Sequence, residues 1–200
     1  MMSTIEENNM DPCFKHSIYK IIKEETRHWT TSGRADLRMI LYLLFFSPEF
    51  QLNILYRINR KIYLKFNMFS ITRYINKAVM NFTRLLTGGL IDEKTEIGSR
   101  FLIEHSQGVI IGSRVKIGDN VTIYNAINLG NARPREEKGI PMPEIGDNVV
   151  IGAGAKILGP IKIGNNVIIG ANAVVLKSFG PNVTIAGMPA RVVRVHNEEK

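Results

Sequence analysis

Histidine is the side chain best suited to take a proton from a hydroxyl near neutral pH, and this 200-residue chain has four: His16, His28, His105 and His196. Taken singly, a histidine is more often structural or solvent-exposed than catalytic. His105 is set apart by its place, because Ile103 and Ile111 on either side of it are eight residues apart where their counterparts elsewhere are six apart. That spacing predicts a local bulge. The one cysteine, Cys13, cannot form a disulfide within the chain. A second irregularity follows Leu129: residues 130–144 (GNARPREEKGIPMPE) leave the pattern as a loop of mixed charge with three prolines. So long a loop in so economical a sequence points to function.

The pattern that these two features interrupt is a repeat of six. Written from its aliphatic opening residue, it runs IGSRVK (111–116), IGDNVT (117–122), IYNAIN (123–128), then IGDNVV (145–150), IGAGAK (151–156), ILGPIK (157–162), IGNNVI (163–168) and IGANAV (169–174), with earlier units opening at Ile97 and Ile103. A period of six fits neither the 3.6 of a helix nor long strand alternation, so each unit is one short strand plus one corner. The opening aliphatic points into a narrow shaft, the fifth residue packs at the adjacent corner, and Gly, Asn or Asp supplies the turn. Three units make one triangular coil. Stacked coils bury a continuous apolar ladder and share backbone hydrogen bonds with their neighbours, which is a parallel β-helix.

Residues 1–89 follow other rules. Ten of the sixteen aromatic residues lie in 34–86, and after Gly33 there is no glycine until Gly88-Gly89. Ser47-Pro48-Glu49 reads as a helix start, with Ser as N-cap and Pro at the first helical position. Leu52, Leu55, Tyr56, Ile58 and Ile62 then repeat at helical spacing with Arg57, Arg60, Lys61 and Lys65 between them, an amphipathic basic helix. A helix over about 34–46 precedes it. One over about 70–86, capped by Ser70 and carrying Ile71, Tyr74, Ile75, Val79, Phe82 and Leu86, follows it. Residues 1–33 read as weaker helix.

With 44% hydrophobic and 22% charged residues, the composition excludes global disorder, collagen and a disulfide scaffold. Of the net charge of +8, six units fall in residues 1–86, where 13 Lys and Arg face 7 Asp and Glu. No zinc-finger spacing or single-strand-binding pattern accompanies this charge, so nucleic acid is not expected as a partner. The basic helices are expected to present a solvated face, with an anionic membrane surface as the open alternative. The N-terminus lacks the layout of a secretory signal, and the longest apolar run, Met39 to Phe46, is too short to span a bilayer. A cytoplasmic setting is expected, peripheral to the inner face of the membrane if the basic helices touch it.

The hexads, the stretch Glu104-His105-Ser106-Gln107-Gly108-Val109-Ile110-Ile111-Gly112, the segment Ile151-Gly-Ala-Gly-Ala-Lys-Ile-Leu158 and the closing Ala186-Gly-Met-Pro-Ala-Arg191 together resemble the hexapeptide-repeat acyltransferases, especially their serine acetyltransferase branch. The resemblance covers roughly residues 90–195. It implies a left-handed parallel β-helix over 90–200 behind a small α-helical region, assembled as a homotrimer with active sites between subunits. It implies acetyl transfer from acetyl-CoA to a hydroxyl, without metal, with His105 as general base. By the same resemblance the backbone amides of Ala153 and Ala171 hold the pantetheine arm, Met188 and Arg191 flank the nucleotide, Lys177 reaches its phosphates, and the loop residues Asn131, Arg133 and Met142 face the acceptor.

Three departures bear on the acceptor. The serine enzymes carry Arg-His before a proline where this chain has Pro141-Met142 before Pro143. Their imidazole-orienting aspartate falls at Leu90, with Asp92 as the nearest substitute, and their aspartate before the histidine is Glu104. The resulting expectation is an O-acetyltransferase acting on a sugar or surface polysaccharide. The alternatives are a serine O-acetyltransferase of cysteine biosynthesis and a non-catalytic trimeric β-helix scaffold.

Overall fold

The structure, a computed structural model, describes residues 17–30, 33, 35–66, 70–131 and 142–196. Among the described residues four helices come first: α1 (Ile18–Trp29), α2 (Leu37–Phe46), α3 (Pro48–Phe66) and α4 (Ser70–Thr87). The Ser47 hydroxyl accepts the Phe50 N–H at 3.2 Å and so caps α3 as its sequence predicts. The chain bends by 98° between α2 and α3, and no single helix among the described residues is long and apolar enough to cross a membrane. Helix α1 is firmer than expected. Ser17 caps it, accepting from Lys20 N–H, and Ile21, Glu25 and Thr26 bury one face.

The rest is a left-handed parallel β-helix. Its first sheet stacks β1 (Leu90–Ile91), β4 (Ile110–Ile111), β7 (Asn128–Gly130), β10 (Lys156–Leu158) and β13 (Val174–Val175). The second stacks β2 (Glu96–Ile97), β5 (Lys116–Ile117), β8 (Glu144–Ile145) and β11 (Lys162–Ile163). The third holds β3 (Leu102–Ile103), β6 (Thr122–Ile123), β9 (Val150–Ile151), β12 (Ile168–Ile169), β14 (Val183–Gly187) and β15 (Ala190–Val195). Among the described residues only the last pair is antiparallel. Down the first sheet Leu90 pairs with Ile110, Ile110 with Asn128, Asn128 with Lys156 and Lys156 with Val174, steps of 20, 18, 28 and 18 residues. A regular coil is therefore 18 residues; the first carries two extra at the corner with His105, and the third carries ten extra in the loop.

Each two-residue strand turns its second residue inward, and Ile91, Ile97, Ile103, Ile111, Ile117, Ile123 and their successors form the buried shaft. Backbone hydrogen bonds join successive coils in both directions: Leu90 N–H donates to Val109 O and Ile110 N–H to Ile127 O, while Asn120 N–H donates back to Ser99 O and Ala126 N–H to Gln107 O. The carbonyls on the outer side of the first coil have no coil to accept from. Helices α1 and α3 supply the donors. Tyr56 OH donates to Thr95 O at 2.7 Å, Arg57 Nη1 to Ile97 O at 2.6 Å, and Arg57 Nη2 to Gly98 O. Arg60 donates to Glu93 O at 3.0 Å, while Asn53 Nδ2 and the Trp29 indole N–H share Phe101 O, each at 3.1 Å.

The basic face expected to be solvated is thus partly inverted: Arg57 and Arg60 are buried, because they cap an edge of carbonyls. Arg57 also pairs with Glu25 at 2.9 Å, and burial pushes the Glu25 carboxyl above the usual carboxylate range against the pull of that guanidinium.

Helix α4 differs from its sequence reading in the same sense. Thr72, Asn76, Thr83 and Thr87 are buried, while Ile71, Tyr74, Ile75, Phe82, Leu85 and Leu86 are exposed. The threonines can be buried because their hydroxyls return to carbonyls: Thr83 to Val79 and Thr87 to Thr83, both at 2.8 Å.

Replacing Arg57 with Met should remove the donors for Ile97 and Gly98 and strand Glu25, costing about 3–5 kcal/mol as for other broken buried pairs. Denaturant unfolding of the variant against wild type reads that loss.

Candidate functional site

The corner between the third and first sheets forms one continuous edge of the prism. On it, Ala126 N–H donates to Gln107 O, Gly154 N–H to Asn125 O and Asn172 N–H to Ala153 O, at 2.8 to 2.9 Å. Gln107, Asn125, Ala153 and Ala171 therefore occupy the same corner position in successive coils. With a strand spacing of about 4.8 Å, Ala153 and Ala171 lie one coil apart, as their sequence spacing suggests. Gly170 N–H donates to Ile185 O, which places Ala186 and the turn at Met188 at the far end of the same edge. Arg191 pairs with Ala186 across the hairpin. His105, Glu104, Ala153, Ala171, Met188 and Arg191 are thus brought together along one line.

His105 is exposed at the head of that line, and its bulge is fixed from below. The next residue, Ser106, is fully buried, and its hydroxyl donates to Thr87 O at 2.6 Å. Gly108 N–H donates to Gly88 O at 3.0 Å, and Gly88 N–H closes α4 on Arg84 O at 2.9 Å. Gly88 itself has φ +71°, a left-handed helix end that suits glycine. At Gly89 a Cβ would stand 2.8 Å from Ser106 O and 2.5 Å from Leu52, so glycine is required for the approach. Sequence reading missed Ser106 and Thr87. The Gly88-Gly89 pair, read as a boundary, was the visible trace of this clamp.

Other expected site residues lie elsewhere. Asp92 stands at the opposite end of β1, where the chain turns into the second sheet, and its Oδ1 accepts Lys94 N–H at 2.9 Å. It does not orient His105 within the chain: a corner turn recruits it. Lys177 lies on that other edge too, its ammonium 5.4 Å from the Phe179 ring centroid. Asn131 begins the loop there. Met142 does not face outward as an acceptor residue but packs against the shaft, next to Gly112. It anchors the returning loop, whose last residue before β8, Pro143, accepts Lys116 N–H at 3.1 Å. Arg133 lies outside the described residues.

Beside His105 opens a cavity of about 390 Å³, lined by His28, Trp29, Thr30, Ser47, Glu49, Leu102, Ile103 and Glu104. It lies between the helical cap and the first coil. Burial, reinforced by the charge of Arg100, holds His28 below its ordinary value, so the imidazole is neutral near pH 7. Glu49 and Glu104 then make this cavity anionic. Among the described residues no group of three or more potential metal ligands is gathered anywhere.

Residues 142–177 match the family model described as bacterial transferase hexapeptide (six repeats). In that stretch the chain carries the hexapeptide repeat of the bacterial transferases. Serine acetyltransferase of Mycobacterium tuberculosis is 46% identical over 121 residues, 60% of this chain and 52% of that protein. Serine acetyltransferase of Staphylococcus aureus strain Mu50 is 48% identical over 118 residues, 59% of this chain and 54% of that protein. The crystal structure of Neisseria gonorrhoeae serine acetyltransferase superimposes with a TM-score of 0.78 at 28% identity, covering 90% of this chain and 66% of that one. The chain spans about half the length of the curated relatives it matches.

Those relatives overturn the expectation of a sugar or polysaccharide acceptor, which rested on Pro141-Met142 and Leu90. Met142 faces the shaft, and the cavity next to His105 is anionic rather than neutral.

Between Ala153 and Ala171 the coils approach so closely that there is no room for a side chain on Gly152. A Cβ on Gly152 would stand 2.7 Å from Ala171 N and 2.9 Å from Ile169 O. Gly152→Val should pry the third and fourth coils apart and lower stability by about 1–3 kcal/mol, read as a fall in unfolding midpoint.

Proposed function

We propose that this chain transfers the acetyl group of acetyl-CoA to the hydroxyl of L-serine, with His105 as general base. The observation that carries this reading is the anionic cavity beside His105 in a chain homologous to serine acetyltransferases. An amino-acid acceptor bears an ammonium group. Glu49 from the cap and Glu104 from the bulge supply the opposite charge, which a neutral sugar would not need.

The chemistry follows from the edge. An alcohol is a poor nucleophile until its proton has somewhere to go. The imidazole of His105 takes that proton as the serine oxygen bonds to the thioester carbon, giving a tetrahedral intermediate. Collapse breaks the carbon–sulfur bond, and the imidazolium returns the proton to the departing sulfur. No covalent enzyme intermediate is needed. The donor lies along the edge, its arm against the backbone at Ala153 and Ala171, and its nucleotide near Met188 and Arg191, whose guanidinium meets phosphate. The small residues let the arm reach the backbone.

The functional unit is a homotrimer. Supporting this, the outward residues of the first and third sheets, which flank the His105 edge, are largely apolar: Leu90, Ile110, Leu102, Val150 and Ile168. The second sheet instead presents the charged ladder Glu96, Lys116, Glu144, Lys162. Acetyl-CoA as the donor supports a cytoplasmic setting.

Thiol release from acetyl-CoA in the presence of L-serine tests the reading. His105→Ala should lower kcat by about 10²–10⁴-fold without loss of acetyl-CoA binding. Glu104→Gln should raise KM for serine by about tenfold and leave KM for acetyl-CoA unchanged. Failure of the purified chain to bind acetyl-CoA would favour a scaffold instead.

A further inference from the structure

We propose that the ammonium of Lys156 is the fixed positive charge that stabilises the negative charge developed during acetyl transfer on the His105 edge; this rests on the function proposed above. Down the outer face of the first sheet run Leu90, Ile110, Asn128, Lys156 and Val174, beside the edge. Lys156 is the one charged side chain in that column.

Its placement is specific. Lys156 is half-buried, and instead of extending into solvent its ammonium turns back past Asn128 and donates to the carbonyl of Ala126. The N–H of the same Ala126 donates to Gln107 O at 2.8 Å, inside the bulge that carries His105. The charge is therefore held about one coil spacing, ~4.8 Å, from the bulge, on the side of Ala153. That is the interval between the base and the first amide of the donor arm.

The other strand lysines are spent differently. Lys162 pairs with Glu144 at 2.9 Å and Lys116 with Glu96 at 3.9 Å, both on the second sheet. Among the described residues no carboxylate lies within ion-pair distance of Lys156. A half-buried cation held by a neutral carbonyl keeps its charge available for an anion that forms nearby.

Two such anions form in sequence. As the serine oxygen bonds to the thioester carbon, the carbonyl π electrons move onto oxygen and make an oxyanion. As the carbon–sulfur bond breaks, the electron pair leaves on sulfur until the His105 imidazolium protonates it. A charge already in place costs no reorganisation at either moment.

The test compares wild type with Lys156→Met, Lys156→Gln and Lys156→Arg, and with Lys162→Met as a control on the opposite sheet. Steady-state kcat and both KM values are measured with acetyl-CoA and L-serine, together with unfolding midpoints. Lys156→Met should lose about 10²-fold or more in kcat, as when one oxyanion donor is removed, with KM values within threefold, while Lys156→Arg recovers most of the rate. Lys156→Gln keeps a donor for Ala126 without the charge and carries the comparison if the Met variant does not fold. A folded Gln variant as slow as the Met variant supports the assignment. Wild-type turnover with an equally fast Lys156→Gln, or a loss matched by Lys162→Met, overturns it. Absence of serine-dependent thiol release by the wild type overturns the acceptor reading and this assignment with it.

Discussion

Every coil inside a stack is hydrogen-bonded by the coils on both sides of it, and the first coil of this chain has a neighbouring coil on one side only. The first coil is left with carbonyls that have no partner, and buried carbonyls without donors cost more than most packing contacts return. Tyr56, Arg57, Arg60, Asn53 and Trp29 meet them. The helical region is thus an end cap whose position is set by hydrogen-bond bookkeeping. Because the same cap supplies Thr87, Gly88 and one wall of the cavity beside Glu104, the end closure also sets the bulge with His105.

The division of labour among the three edges follows from where the regular coil can be broken. Inward isoleucines allow no insertion without turning a strand inside out, since strand side chains alternate. Corners have no such constraint. One corner admits two residues and presents His105; another admits ten more before the next strand. The third edge, between the second and third sheets, is unbroken, and its Asp and Asn side chains bond one coil to the next, as Asp119 Oδ1 does to Ser99 N–H and Asp147 Oδ1 to Asp119 N–H.

The repeat half was legible because each hexad states its own geometry: an aliphatic for the shaft, a small or left-handed residue for the turn. The bulge was legible for the same reason, as a defect in a count. The helical half was not. Arg57 and Arg60 read as surface charges because helical periodicity reports a polar face without saying what it meets, and here it meets a row of carbonyls. In α4 the buried face is Thr72, Asn76, Thr83 and Thr87, and no hydropathy pattern predicts that side inward. Among the site residues, Ala153, Ala171, Met188 and Arg191 were named by resemblance to the acyltransferases, and they fall on one line with His105. Asp92 was placed by strand alternation alone, which fixes a face but not which end of the strand is nearer a given corner. Met142 was read as facing the acceptor, and only the packing against Gly112 reveals it as an anchor.

The antiparallel hairpin of β14 and β15 ends the stack, with Arg191 and Arg194 on its outer strand discouraging further pairing. Closed at both ends, the prism is a ruler graduated in coils. Four graduations, about 19 Å at the usual strand spacing, separate the bulge with His105 from the turn at Met188. An added coil would lengthen that interval by one fixed increment and a deleted coil would shorten it, with the shaft equally well packed in each case. Folding therefore leaves the number of repeats free, and on the proposed function it is the reach of an extended ligand that fixes it.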